Sequence, residues 1–128
     1  MAEQVNNIAK RMLEEWKKGM LTYWTLGLLV IRPMYGLEIK KEIEESTGEK
    51  IRLGISTMYQ LLRRLEKKGL VAGRWEQTSI GPPRAYYEIS DAGKTVLKTY
   101  VSEVLSPQSQ IFKAIGELTQ KMMMKLIE

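Results

Sequence analysis

With 128 residues, 44% of them hydrophobic, the chain has room for one packed domain and too little for two with full cores of their own. Its 20 Lys and Arg against 15 Asp and Glu leave a net charge of +5, which points towards a polyanionic partner without requiring one. There is no Cys and no His, which excludes a disulfide framework, thiolate and imidazole metal sites, and every Ser-His or Cys-His catalytic pair.

No cofactor and no metal are therefore expected. No N-terminal stretch runs from a basic region through an apolar core to a small-residue cleavage site. The longest uncharged apolar run, Met20 to Ile31, falls short of the ~18 apolar residues that span a bilayer. The expectation is a soluble cytoplasmic protein with no membrane partner.

In chain order, Val5, Ile8, Met12, Leu13 and Trp16 recur at helical spacing, and Gly19 supplies a stop. Residues 21–31 are apolar nearly all round, as in a central core helix, and end at Arg32-Pro33. Tyr35 to Ser46 reads as a further helix, with Leu37, Ile39 and Ile43 inward and Glu38, Glu42, Glu44 and Glu45 on a solvated face. Thr47 and Gly48 close it.

The next helix begins at Ser56, a good N-cap, and ends at Gly69, a natural left-handed terminator. From Val71 the period changes to 2, giving a strand to Glu76. SIGPPR, residues 79–84, is turn chemistry, and a second strand carries Tyr87 and Ile89 alternating with Tyr86 and Glu88. Such a two-stranded hairpin is too small to stand alone and must pack on the helices. Ser90 caps another helix with the stripe Val96, Leu97, Tyr100, Val101 and Val104, and Ser106-Pro107 restarts the chain into a last helix to Ile127.

Helices followed by a hairpin give the order of a winged helix-turn-helix: mainly α with a small β-hairpin wing, plus N-terminal and C-terminal helices. The division expected is 1–90, a winged helix-turn-helix with its N-terminal helix, and 91–128, a C-terminal helical region.

The segment STMYQLLRRLEKKGLV carries the chemistry. At ~100° per residue, Met58, Leu61, Leu62 and Leu65 make one stripe. Ser56, Gln60, Arg63 and Lys67 lie opposite, with Arg64 and Tyr59 on the flanks. Gln pairs with adenine and Arg with guanine, Ser reaches base edges or phosphate, and Lys and Arg neutralise phosphates. Ser56, Thr57, Tyr59 and Gln60 sit at the N-terminal end, where recognition helices meet bases.

A charged outer face is by itself the ordinary state of a solvated helix. Here, however, Arg63, Arg64, Lys67, Lys68 and Arg74 face a single acid, Glu66, between Ser56 and Trp75, whereas the helix before carries net negative charge. Arg84 beside Gly81-Pro82-Pro83 adds a cation to the wing, suited to a phosphate or minor-groove contact.

The sequence resembles the PadR-type transcriptional regulators of bacteria and archaea. The resemblance rests on LGLLVIRPMYGLEIKKEIEE, with its Tyr35-Gly36 pair, on STMYQLLRRLEKKGLV, and on RWEQTSIGPPRAYYEISDAGKTVL, and it spans about residues 21–105. The family often has Gly where Ser56 stands and Pro where Gln60 stands, and both departures fall on the side expected to face DNA.

The resemblance implies a homodimeric winged-helix repressor binding double-stranded DNA. The DNA contacts would come from Tyr35, Ser56, Thr57, Tyr59, Gln60, Arg63, Arg64, Lys67 and Arg84. The dimer interface would involve Val96, Leu97, Tyr100, Val101 and Val104. In some members a small aromatic or lipophilic effector sits in an apolar pore at the dimer centre, for which Met12, Trp16 and Tyr100 are the matching residues here. The competing readings are a protein-interaction module without DNA binding, against which the concentrated basic charge argues, and an enzyme, for which neither a nucleophile–base pair nor a Gly-rich phosphate loop is present.

Overall fold

The computed structural model describes residues 1–105 and 108–127, the side chains of residues 104, 105, 108 and 109 excepted. It opens with one unbroken helix, α1 (Ala2–Ile31), where the sequence pattern predicts two helices parted at Gly19. A lone helical Gly costs only about 1 kcal/mol relative to Ala, too little to break a run of good helix formers on both sides. The true stop is Pro33. Arg32 before it takes extended backbone (φ −165°), as the residue preceding a proline prefers.

The expectation that residues 21–31 are buried all round is corrected. Leu21, Thr25, Leu26 and Leu29 face the core, while Val30 and Ile31 are exposed. Before Trp16 no residue of α1 is buried.

β1 (Met34–Tyr35) leads into α2 (Gly36–Ser46), whose Ile39 and Ile43 are fully buried. Leu37, expected on the same stripe, is exposed, because a two-residue offset from Ile39 turns it to the far side. α2 ends at Thr47, and Gly48 follows at φ +57°.

α3 (Ile55–Lys67) begins two residues earlier than expected. Gly54 is its N-cap and Ser56 lies inside the first turn, since the Met58 N–H already donates to the Gly54 carbonyl at 3.1 Å. Its C-terminus is as expected: Gly69 takes φ +75°, and the Leu70 N–H donates back to the Leu65 carbonyl at 2.9 Å.

β2 (Val71–Glu76) and β3 (Arg84–Ile89) form the antiparallel wing, in register Val71↔Ile89 to Glu76↔Arg84. The hairpin is not two-stranded. β1 pairs with β3 (Met34↔Tyr87, Tyr35↔Tyr86), giving a three-stranded sheet in the order β1-β3-β2. Two residues are too few to show a period of 2, so the extra strand leaves no pattern in the sequence.

α4 (Asp91–Tyr100) starts at Ser90, whose Oγ accepts from the Gly93 N–H at 3.0 Å and donates to the Gly69 carbonyl at 2.6 Å. A π-helical turn (Val101–Leu105) and α5 (Gln108–Leu126) complete the described elements. The expected restart at Ser106-Pro107 lies outside the described residues. The chain divides into two compact units, Met1–Thr95 and Val96–Glu128.

Candidate nucleic-acid interface

Met58, Leu61, Leu62 and Leu65 are each at most 3% exposed, so the inner stripe of α3 forms as its spacing predicts. Ser56, Thr57, Gln60, Arg63, Arg64 and Lys67 are all exposed on the other side. None of Arg63, Arg64 and Lys67 has an ion pair among the described residues.

The acid of this helix is engaged elsewhere. Glu66 accepts the Gly73 N–H at 2.9 Å, which fastens α3 to β2. Tyr59 is half-buried because its ring lies on Gly36, where an added Cβ would stand 2.8 Å from Tyr59 Cε1. The Tyr35-Gly36 pair thus brings the start of α2 against the start of α3.

Tyr35 is tied to the wing. Its hydroxyl donates to Glu76 Oε2 at 2.8 Å, its ring meets Tyr86 with centroids 4.8 Å apart, and the Arg84 guanidinium lies 5.6 Å from its centroid. The hydrogen bond to Glu76 pushes the Tyr35 hydroxyl above its ordinary pKa, since ionisation would set two negative charges together.

The backbone of Tyr35 is held too, its N–H donating to Glu38 Oε1 at 3.0 Å while Arg32 Nη1 bonds Glu38 Oε2 at 3.0 Å. The Tyr35 N–H first, and Arg32 after it, keep the Glu38 carboxyl below the usual carboxylate range. Glu44 is likewise held low, by Lys40 Nζ at 2.8 Å and the Leu53 N–H at 3.2 Å. The reading of these acids as a plain solvated face is corrected at both positions.

Arg84 is the first residue of β3 and stacks towards Tyr35, so it is not at the loop tip. Tyr35, Tyr59, Trp75, Pro83, Arg84 and Lys41 line a cleft of about 430 Å³ between the helix pair and the wing. Trp75 and Lys41 escape sequence reasoning. The only signal is the 71% exposure of an indole, which appears once the strand is placed.

The description "Transcriptional regulator PadR-like family" belongs to the family model that matches residues 25–99, more than half of the chain. The chain belongs to the PadR-like family of transcriptional regulators. It is 34% identical over 86 residues to an uncharacterized protein of Lysinibacillus sphaericus, covering 67% of this chain and 79% of that one.

The structure resembles a PadR family transcriptional regulator from Eggerthella lenta, with TM-score 0.65 and 30% identity over 91% of this chain and 96% of that one. A transcriptional regulator from Clostridium thermocellum matches with TM-score 0.66 and 28% identity, over 77% and 93%. Bacillus subtilis PadR, in complex with operator DNA, matches with TM-score 0.58 and 26% identity, over 63% of this chain and 46% of that one.

The PadR-like match ends within α4, so it takes in Val96 and Leu97 but not Tyr100, Val101 or Val104. On α4 and the turn after it, Val96, Tyr100 and Val101 are exposed and Leu97 is half-buried. The side chain of Val104 lies outside the described residues. Met12 and Trp16 are exposed on α1 in the first unit, and Tyr100 belongs to the second. Among the described residues no group of three acidic side chains is placed to hold a metal, and no helix is long and apolar enough to cross a membrane.

Proposed function

We propose that this PadR-like protein is a sequence-specific, DNA-binding repressor that acts in the cytoplasm as a homodimer. Each α3 enters a major groove, with half-sites about one helical turn apart on a pseudo-palindromic operator. The observation that carries this reading is the exposed stripe of α3, where Arg63, Arg64 and Lys67 have no ion pair among the described residues while the opposite stripe is buried. Ser56, Thr57 and Gln60 face base edges at the helix start, Tyr59 flanks them, and Arg84 and Tyr35 meet the backbone beside the wing.

The operator complex of the Bacillus subtilis relative supports the choice of partner. Residues 1–90 form the DNA-binding part and residues 91–128 the dimerisation part, through Val96, Leu97, Tyr100, Val101 and Val104. Met12, Trp16 and Tyr100 are the residues offered to a small aromatic or lipophilic effector.

The test selects duplexes from a random pool with the wild-type protein and measures their binding by gel shift. Arg63→Ala and Arg64→Ala each weaken binding with the circular dichroism spectrum unchanged. Affinity unaltered in both variants refutes the role of this face, and a failure to enrich any sequence refutes sequence-specific binding.

A further inference from the structure

On the side of α3 away from the wing, a second cleft of about 340 Å³ opens between α1 and the start of α3. Lys17, Lys18, Arg52 and Arg64 line it around an apolar floor that includes Leu21 and Leu61, and Glu14 is its one acid. Among the described residues Lys17, Lys18 and Arg64 have no ion pair, and Arg52 has only the largely exposed Glu49, at 3.2 Å. Thr57 and Gln60 reach the same cleft, so it is continuous with the exposed stripe of α3.

At ~100° per residue, Glu14, Lys17, Lys18 and Leu21 share one side of α1, and Val5, Met12 and Trp16 lie on the opposite side. Neither pattern is visible from α3 alone. The cationic side of α1 is free for a polyanion even when its apolar side is covered.

We propose that Lys17 and Lys18, with Arg52, take the phosphate backbone of the same duplex that α3 reads, so that the DNA-binding surface continues onto α1. This rests on the DNA-binding reading above. A polyanion is the occupant that matches four cations around one carboxylate, and the backbone flanking a groove-bound α3 supplies phosphates at that edge. Such contacts position the duplex and carry no sequence information.

The test measures binding of the intact protein to a selected duplex and to one of mixed sequence across a range of salt. Lys17→Ala/Lys18→Ala weakens both to the same degree, about tenfold, and makes the log–log salt slope shallower by about 2 per protomer, at ~0.9 per lost phosphate contact. The charge-matched pair Lys113→Ala/Lys121→Ala on α5 leaves the slope unchanged. Glu14→Gln, which removes the carboxylate from the cleft, strengthens binding to both duplexes.

A wild-type slope in Lys17→Ala/Lys18→Ala, an equal loss in the α5 pair, or weaker binding by Glu14→Gln overturns the inference and leaves the role of α3 standing. A wild-type protein that binds neither duplex overturns both.

Discussion

Gly93, within the first turn of α4, offers a sharp test because two effects of replacing it have opposite signs. Helix propensity alone makes Gly93→Ala stabilising by about 1 kcal/mol. The local geometry says otherwise. An added Cβ would stand 2.2 Å from the Leu70 carbonyl oxygen and 2.7 Å from Ile89 Cγ1, and the first of these is backbone that cannot swing aside.

The turn must lift off the end of α3. That strains the Ser90 N–H bond to the Leu70 carbonyl (3.0 Å) and the Ser90 Oγ bond to the Gly69 carbonyl (2.6 Å). Each such hydrogen bond contributes about 1 kcal/mol, and overpacking adds about 1–3 kcal/mol. After the propensity gain, the net loss is about 2–4 kcal/mol, or roughly 10 °C in Tm for a chain of this size.

Urea unfolding followed by circular dichroism, at fixed protein concentration so that association does not shift the midpoint, reads the difference. Gly19→Ala, where nothing lies within 4 Å of the added Cβ, is the companion and gains up to about 1 kcal/mol. A Gly93→Ala protein as stable as the wild type would refute the reasoning.

Thr25→Val raises stability by about 1 kcal/mol in the same assay, because Thr25 is fully buried and its Oγ1 has no hydrogen-bond partner among the described residues; a loss of stability would mean that the hydroxyl is satisfied. Stability falls in acid. The Glu38 and Glu44 carboxyls sit below their ordinary values in the fold, so their contribution is complete above the unfolded value of ~4.3 and disappears as pH falls through the lower folded values. Glu44→Gln therefore makes the decline of the urea midpoint between neutral pH and acid shallower, and an unchanged slope would contradict the role given to Lys40 and the Leu53 N–H. Trp16→Glu, on the exposed apolar stripe Val5, Met12 and Trp16 of α1, lowers the sedimentation-derived mass of the proposed dimer towards one chain at micromolar concentration; an undiminished mass would exclude that stripe from the proposed interface.

What the sequence makes legible follows from how many residues carry each signal. The inner stripe of α3 repeats over two turns, and Met58, Leu61, Leu62 and Leu65 all arrive in the core. Gly69 and Ser90 act through their own backbone and hydroxyl chemistry, so their roles are local and visible. β1 is lost because two residues carry no period, and the continuity of α1 is lost because one Gly resembles a stop that the flanking helix formers outvote. Gly54 in place of Ser56 at the start of α3 is a contest between two acceptable caps, decided by where Leu53 is buried. In the candidate site, the α3 face is legible from its own spacing. The Tyr35–Glu76 bond, at a separation of 41 residues, and the cleft shared by Lys17, Lys18 and Arg64 depend on tertiary placement and have no linear signature.

The charge pattern shows why tertiary placement matters for function. By count, the helix before α3 is acidic, and its field would be expected to weaken the basic face beside it. The fold engages two of those acids, Glu38 and Glu44, and two others near α3, Glu66 and Glu76, in hydrogen bonds of their own. Glu38 accepts the Tyr35 N–H and Arg32, Glu44 accepts Lys40 and the Leu53 N–H, Glu66 accepts the Gly73 N–H, and Glu76 accepts the Tyr35 hydroxyl. Each of these carboxylates fastens one element to another: α2 to β1, α2 to the approach of α3, α3 to β2, and β1 to the wing. These four acids therefore hold helix and wing together, and none of them forms an ion pair with Arg63, Arg64 or Lys67 among the described residues. An arrangement with the same composition but with those glutamates paired across to α3 would have the same net charge and a far weaker attraction for phosphate, because the contact would have to break ion pairs already made. The proposed attraction of this face for a polyanion thus rests less on the total of +5 than on where the negative charges are fastened.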